Sequence, residues 1–237
     1  LSRSSRESKT VWLLMHVPPG IDSYTEDKAD GKSLAASLWE PRFLDRYLKL
    51  IHEYHSILTI SFAGHTHMDD YRIAHVDGAP VLLHKIVPSV SPVFGNNPAF
   101  QVYQVDSDSG AISDWQTYFL DLSHSGTSMA ERAWSKEYVA SQAYHLSAVD
   151  ADAISGLFKR IRSNPAAAVS DKYREYFKVG VKPIPQRHLS IYACAVLNSL
   201  YADYRSCVSG DETPAPIEMD SPVRLRRQAG GLDVGER

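Results

Sequence analysis

A series of short apolar runs, each bounded by turn residues, fills the first half of the chain and limits the folds that it can adopt. Runs of this length between Gly, Pro, Asn and Asp residues predict buried β-strands joined by short turns. The predicted strands are residues 11–15, 57–63, 71–76, 81–87, 100–105 and 111–119. A helix is predicted between Trp39 and Tyr54, where apolar residues recur at helical spacing after Pro41. Because few helices separate the later strands, their sheet is predicted to be antiparallel or mixed.

The second half of the chain has a helical pattern from about Ser128 onward. Ser147 and Asp150 are a helix start signal, and an apolar stripe follows them until Asn164-Pro165. Two further stripes, at 169–177 and 189–204, predict more helices. We therefore predict an α+β fold with three parts: a sheet-containing part at 1–126, a small helical module at 127–209, and a disordered Pro-, Gly- and charge-rich tail at 210–237.

Composition excludes several classes of protein. Lys and Arg total 25 against 28 Asp and Glu, so the net charge is -3 and no basic block marks a nucleic-acid partner. No apolar run approaches the roughly 18 residues of a membrane span, so no transmembrane segment is predicted. The only cysteines, Cys194 and Cys207, cannot form a disulfide scaffold, but the composition leaves open one bridge or two buried thiols.

Three histidines stand directly after predicted strands, where functional side chains are common. His16 follows the first strand and precedes Val17-Pro18-Pro19-Gly20, while His65 and His67 lie in the segment Gly64-His65-Thr66-His67 after the next one. Gly64 is expected to let the backbone turn there. Imidazole binds zinc, manganese, iron and nickel, so the three histidines predict a metal site. Of the other histidines, His84 lies in an apolar strand and is predicted to be a core residue with its hydrogen bonds satisfied.

Several motifs together resemble the acid sphingomyelinase-like branch of the calcineurin-like metallophosphoesterases. They are the His16 segment, the run from Gly64 to Tyr71, Pro88-Ser89, and Asn97-Pro98 before Val102-Tyr103. Trp134 to Tyr138, Ala143-Tyr144 and the spacing of Cys194 and Cys207 resemble the helical C-terminal module of that branch. The resemblance covers the chain from about Val11 to Cys207 and implies a two-layer sandwich of mixed sheets covered by helices.

In that family two divalent metal ions are bridged by an aspartate and flanked by histidines. The resemblance places His16 and His65 on one ion and His67 on the other, with Zn²⁺ as the expected metal. The family's Asp-x-His, Gly-Asp and Gly-Asn-His motifs come before the first histidine motif, and this sequence has no Asp-x-His. We therefore expect the chain to correspond to the C-terminal half of such an enzyme. The histidine that protonates the leaving group is expected in the other half, so no catalytic residue is assigned.

The resemblance implies a phosphodiesterase that uses metal-activated water. The implied substrate is a phosphodiester such as a phospholipid head group or a nucleotide, with transient contact at a membrane surface. Asn96 and Asn97 are candidate pocket residues, although their composition alone favours a plain turn. The resemblance pairs Cys194 with Cys207 as a disulfide and implies a secreted, lysosomal or otherwise extracytoplasmic protein.

The sequence has two other interpretations. One is a non-catalytic, truncated or degenerate domain with at most weak metal binding. The other is an amidohydrolase, but in that class the His-x-His pair opens the barrel near the chain start and alternating helices follow, which does not match.

Overall fold

The computed structural model describes residues 1–23, 35–123 and 133–210, and within them it has a mixed α+β architecture. After a short helix, α1 (Ser2–Arg6), come the strands β1 (Val11–Leu14), β2 (Ile21–Asp22) and β3 (Ala36–Ser37) and the helix α2 (Pro41–Tyr54). Further strands are β4 (Leu58–Ala63), β5 (Asp70–Val76), β6 (Ala79–Ile86), β7 (Ala99–Val105) and β8 (Ile112–Phe119). The predicted disordered tail lies outside the described residues, apart from Gly210.

The main sheet has four strands in the order β1-β4-β6-β5. The strands β1, β4 and β6 are parallel to one another, while β5 runs antiparallel to β6 as its hairpin partner. The β2 and β3 strands form a small antiparallel pair. The sheet is therefore mixed, as the sequence predicts, and its parallel part brings the carboxyl ends of β1 and β4 to one edge.

A second sheet contains β7, β8 and one strand that the sequence analysis missed, β9 (Ser135–Val139). All three strands are antiparallel, and β9 pairs with β8 through residues such as Tyr138 opposite Thr117. The expectation of helix from Ser128 onward is therefore wrong at 135–139. Pairing with β8 decides the conformation of this segment, and no local periodicity reveals it.

The remaining described chain is helical: α3 (Ala140–Tyr144), α4 (Ala151–Ser163), α5 (Ala168–Tyr176), α6 (Leu189–Leu197) and α7 (Tyr201–Ser209). The predicted start of α4 is confirmed, because the Asp150 side chain accepts a hydrogen bond of 2.8 Å from the Ala153 backbone N–H. The apolar stripe predicted at 189–204 forms two helices, α6 and α7, instead of one. The chain turns at 198–200, between the end of α6 and the start of α7.

That turn allows the predicted disulfide to form. Cys194 on α6 and Cys207 on α7 are bonded, with their Cα atoms 5.7 Å apart. One hydrophobic cluster, which includes Ile60, Trp115 and Phe158, joins the main sheet, the second sheet and the helices. The sheets and the helical module thus share a core. No helix in the described ranges is both long and apolar enough to cross a bilayer.

Candidate functional site

Two of the three candidate histidines meet at the edge where β1 and β4 end. Because these strands are parallel neighbours, the residues that follow them, His16 and His65, emerge side by side. Their ring centroids are 5.3 Å apart with the planes nearly perpendicular. The backbone N–H of Gly64 donates a 3.0 Å hydrogen bond to the His16 carbonyl and fixes the two loops to each other.

The loop after β4 turns in a way that the sequence analysis did not foresee. Gly64 was expected to supply the unusual backbone angle, but the positive φ angles belong to His65 (69°) and His67 (66°). The left-handed region is sparsely populated by residues other than glycine, although histidine enters it more often than most. The two histidines are therefore held in a strained turn, with Thr66 between them donating its N–H to the Gly64 carbonyl at 2.8 Å.

His67 is placed next to a second loop, the one between β6 and β7. Its ring lies 4.7 Å from the ring of Phe94, and its carbonyl accepts a 3.3 Å hydrogen bond from the Ser89 N–H. The His67 Nδ1 atom is buried and has no hydrogen-bond partner among the described residues. Phe94 was not among the predicted site residues, because a contact across two loops leaves no signal in the sequence.

The histidines fit part of a metal site. Two imidazoles bound to one tetrahedral zinc ion at about 2.0–2.1 Å place their ring centroids roughly 5 Å apart, which matches His16 and His65. The unpartnered Nδ1 of His67 is a further free donor atom in the same loop. Within the described ranges, however, no three His, Cys, Asp or Glu side chains gather closely enough to hold an ion. The placement of His67 on a second ion stays a prediction.

Asn96 and Asn97, in the loop between β6 and β7, line a cleft of about 320 Å³. Its other walls are the segment after β8 and the turn at Gly180-Val181. Both asparagines are buried, and their amides are used structurally: Asn97 Nδ2 donates to the Val179 carbonyl at 2.9 Å, while its Oδ1 accepts from the Leu122 N–H at 3.1 Å. A role in substrate binding stays a prediction, and their visible role is to hold the cleft together.

An acid with a buried carboxyl group lies against one wall of that cleft, the Gly180 turn. A Cβ atom on Gly180 would come within 3.7 Å of Glu137 Oε1, so the Gly180 turn covers the Glu137 carboxyl group. Neither carboxyl oxygen has a hydrogen-bond partner in the described part of the chain. Burial, and then the nearby charges of Asp69 and Glu175, raise the pKa of Glu137 to about 9. The Gly180 backbone N–H opposes this shift without reaching hydrogen-bond geometry. Glu137 is therefore neutral at neutral pH.

The acidic pair after His67 is structural. The Asp69 carboxylate is buried and accepts hydrogen bonds from Lys85, from Tyr138 Oη at 2.7 Å and from Gln101 Nε2 at 2.9 Å. Asp70 is buried against Arg72 at 2.5 Å and Tyr173 Oη at 2.8 Å. A sequence signal for these ion pairs exists in retrospect, because Arg72 and Lys85 are the only Arg or Lys residues of β5 and β6.

The prediction for His84 is wrong in one respect. The residue is fully buried in the core of the main sheet, but neither ring nitrogen has a hydrogen-bond partner among the residues that the structure describes. Burial, together with the charge of Arg72, lowers the pKa of His84 to about 3. The ring is therefore a neutral core group.

Residues 79–214 match the family model described as the acid sphingomyelin phosphodiesterase C-terminal region. The chain belongs to this acid sphingomyelinase-like family. Among its curated relatives, the chain is 28% identical to acid sphingomyelinase-like phosphodiesterase 3b of Mus musculus, over 89% of this chain and 46% of that protein. It is 26% identical to a cyclic GMP-AMP phosphodiesterase of Rattus norvegicus, over 88% of this chain and 47% of that protein.

A third relative is sphingomyelin phosphodiesterase B of Dictyostelium discoideum, with 23% identity over 88% of this chain and 32% of that protein. The family match covers β6 to α7, and the alignments with these relatives span nearly nine-tenths of the chain, which is more than the family match covers. The chain spans about half the length of the first two relatives, and about a third of the third.

Proposed function

We propose that this chain carries the histidine part of a metal-dependent phosphodiesterase site. The observation that supports the proposal is the pairing of His16 and His65 across the ends of two parallel strands. In this proposal they hold one divalent ion and His67 contributes to a second, with Zn²⁺ as the expected metal. A bound ion of this kind supplies an activated water molecule and neutralises charge on the phosphoryl oxygens.

The protein's own residues would position the ions and shape the approach to them. The hydrogen bond from Gly64 to His16 keeps the two loops in register, and Phe94 packs on one side of the His67 ring. The relatives are named for sphingomyelin and for cyclic GMP-AMP, both of which contain phosphodiester bonds. The shared chemistry supports a phosphodiester as the substrate class, whether lipid head group or nucleotide.

The proposal extends to the compartment. A disulfide between Cys194 and Cys207 persists in oxidising surroundings, which supports a secreted, lysosomal or otherwise extracytoplasmic location. The non-catalytic alternative has one observation in its favour, because no three potential ligand side chains gather among the described residues. A metal-binding experiment separates the two.

The test is zinc binding by calorimetry on the chain of 237 residues, comparing His16→Ala and His65→Ala with the control His52→Ala, which changes an exposed histidine on α2. We expect the first two substitutions to weaken binding at least about tenfold, since each removes a ligand, and the control to bind like the wild type. Absence of zinc binding by the wild type, or equal loss in the control, would contradict the proposed site.

The same preparations can be assayed on a chromogenic phosphodiester with added zinc. We expect the chain alone to turn over slowly, because a general acid contributes roughly 10² to 10⁴ in rate and none is assigned here. Fast, chelator-sensitive turnover that survives His65→Ala would place the chemistry elsewhere in the chain.

A further inference from the structure

The segment that carries His67 is bonded at two points to parts of the fold that lie farther along the chain. The His67 carbonyl accepts a 3.3 Å hydrogen bond from the Ser89 N–H, in the loop between β6 and β7. Two residues after His67, the Asp69 N–H donates at 3.0 Å to the carbonyl of Phe177, at the end of α5. The position of the His67 backbone therefore depends on both the loop and the helical module.

Asn97 connects that loop to the helical module. Its Nδ2 donates at 2.9 Å to the carbonyl of Val179, which lies two residues after Phe177. Its Oδ1 accepts from the Leu122 N–H at 3.1 Å. Asn97 is only 4% exposed, so both ends of its amide are bonded where water cannot readily replace a lost partner. One side chain thus holds together two segments that are 82 residues apart in the chain.

Asn96 links Asn97 back to His67. The Asn96 Nδ2 atom donates to the Ser89 carbonyl at 3.3 Å, and the residue is only 2% exposed. Ser89 is the residue whose N–H bonds the His67 carbonyl. The contacts therefore close a ring that leaves the histidine loop at the His67 carbonyl and returns to it two residues later. We call this set of contacts the hydrogen-bonded ring.

The hydrogen-bonded ring contains strained backbone at two residues other than glycine. His67 has a φ angle of 66° and Val179 has one of 55°. A positive φ is a genuine outlier for a β-branched residue such as valine, and Val179 is fully buried. Strain of this kind persists only where the surrounding structure fixes it, and it is concentrated at functional sites. The strained Val179 is also the residue whose carbonyl accepts the Asn97 amide.

We propose that Asn97 is a positioning residue for the metal site, because the hydrogen-bonded ring sets the place and orientation of His67. A metal-binding histidine is usually oriented by a hydrogen bond from its imidazole. No described residue bonds the buried Nδ1 of His67, so its orientation depends on the hydrogen-bonded ring and on the contact with Phe94. The inference rests on the proposed function, in which His67 binds an ion. It adds that the helical module takes part in the site through Asn97.

The first test is NMR spectroscopy of the histidine side-chain signals in the presence of a chelator, so that it is independent of metal binding. His67→Ala identifies the His67 signal. We expect Asn97→Ala to shift or broaden that signal, and Asn96→Ala to do the same. The matched control is Asn198→Ala, which also removes an amide bonded to a backbone carbonyl, that of Cys194 at 2.9 Å. Because Asn198 lies outside the hydrogen-bonded ring, this control should leave the His67 signal as in the wild type.

Zinc titration of the same variants without chelator separates positioning from general stability. We expect Asn97→Ala to raise the zinc concentration at which the His67 signal responds by about tenfold or more, as for other residues that orient a metal ligand. The His16 and His65 signals should respond as in the wild type, because the hydrogen-bonded ring does not include them. A residue that only stabilised the fold would change all three responses or none.

The proposal is overturned if the His67 signal is unchanged in both asparagine variants, if Asn198→Ala changes it equally, or if His16 and His65 lose as much zinc affinity as His67. If Asn97→Ala does not fold, Asn96→Ala decides, since it breaks the hydrogen-bonded ring at Ser89. A wild-type His67 signal that does not respond to zinc contradicts the proposed function at His67. The comparison in chelator still tests the positioning by itself, so the two failures are distinguishable.

Discussion

At the scale of single residues, Glu137 has a carboxyl group whose surroundings disfavour the ionised form. Its carboxyl oxygens are enclosed without hydrogen-bond partners among the described residues, and Asp69 and Glu175 add repulsion. The folded chain therefore keeps a proton that the unfolded chain releases near the ordinary pKa of 4.5. Stability from this residue is fully present below that pH and is lost progressively as the pH rises toward about 9.

Replacing Glu137 with Gln should remove this dependence, because an amide has no proton to lose. We expect Glu137→Gln to raise the free energy of unfolding at pH 8 by at least about 1 kcal/mol and to change it little at pH 4.5. Urea unfolding at both pH values measures the effect, with the exposed Glu53→Gln on α2 as control. An equal effect at the two pH values would show that Glu137 is already charged in the folded chain.

The residue scale also shows what the sequence can and cannot reveal. His16, His65 and Asp150 were found because each stands at an element boundary, where local patterns are informative. Glu137, the contact of Phe94 with His67 and the unpaired nitrogens of His84 depend on neighbours distant in the chain. Burial of a polar group is decided by packing, which one sequence does not display.

At the scale of elements, the strands of the main sheet and the helices α2, α4 and α5 follow their hydrophobic periodicity and were predicted within a few residues. The β9 strand was missed because its five residues, Ser135–Val139, gain their conformation from β8. The stripe predicted at 189–204 is interrupted at Asn198, which ends α6. Its Nδ2 donates to the Cys194 carbonyl at 2.9 Å.

The disulfide joins these two helices across a separation of 13 residues. We expect Cys207→Ser, or reduction of the bridge, to lower the free energy of unfolding by about 3 kcal/mol, because a loop of this size loses its constraint in the unfolded chain. Thermal unfolding with and without reductant measures this. Titration of the denatured, unreduced protein should find no free thiol, and two thiols would contradict both the bridge and the extracytoplasmic location.

At the scale of the whole molecule, two buried ion pairs connect the layers. Lys85 on β6 meets Asp69, whose carboxylate also accepts from Tyr138 on β9, and Arg72 on β5 meets Asp70 and the Ile21 carbonyl. Both pairs are almost completely enclosed. Removing one residue of a buried pair leaves an uncompensated charge in the core. The loss of stability is therefore far larger than for the exposed ion pairs on the helices.

We expect Lys85→Met to lower the free energy of unfolding by about 3–5 kcal/mol, because it leaves the Asp69 carboxylate buried without its cation. The matched control is Lys49→Met, which breaks the exposed pair with Asp45 and should cost at most about 0.5 kcal/mol. Chemical denaturation compares them. Similar losses in the two variants would mean that water reaches the Asp69 cluster in the folded protein.

The sheets and the helices share one hydrophobic cluster, and its stability offsets the backbone strain at His65 and His67. Each histidine there occupies a backbone region that glycine or asparagine enters more easily, at a cost of about 1 kcal/mol or more. A lineage selected only for folding would drift toward those residues at both positions. Histidine at both positions therefore indicates a requirement other than stability. The folded chain tolerates these two strained residues because its hydrophobic core supplies enough free energy.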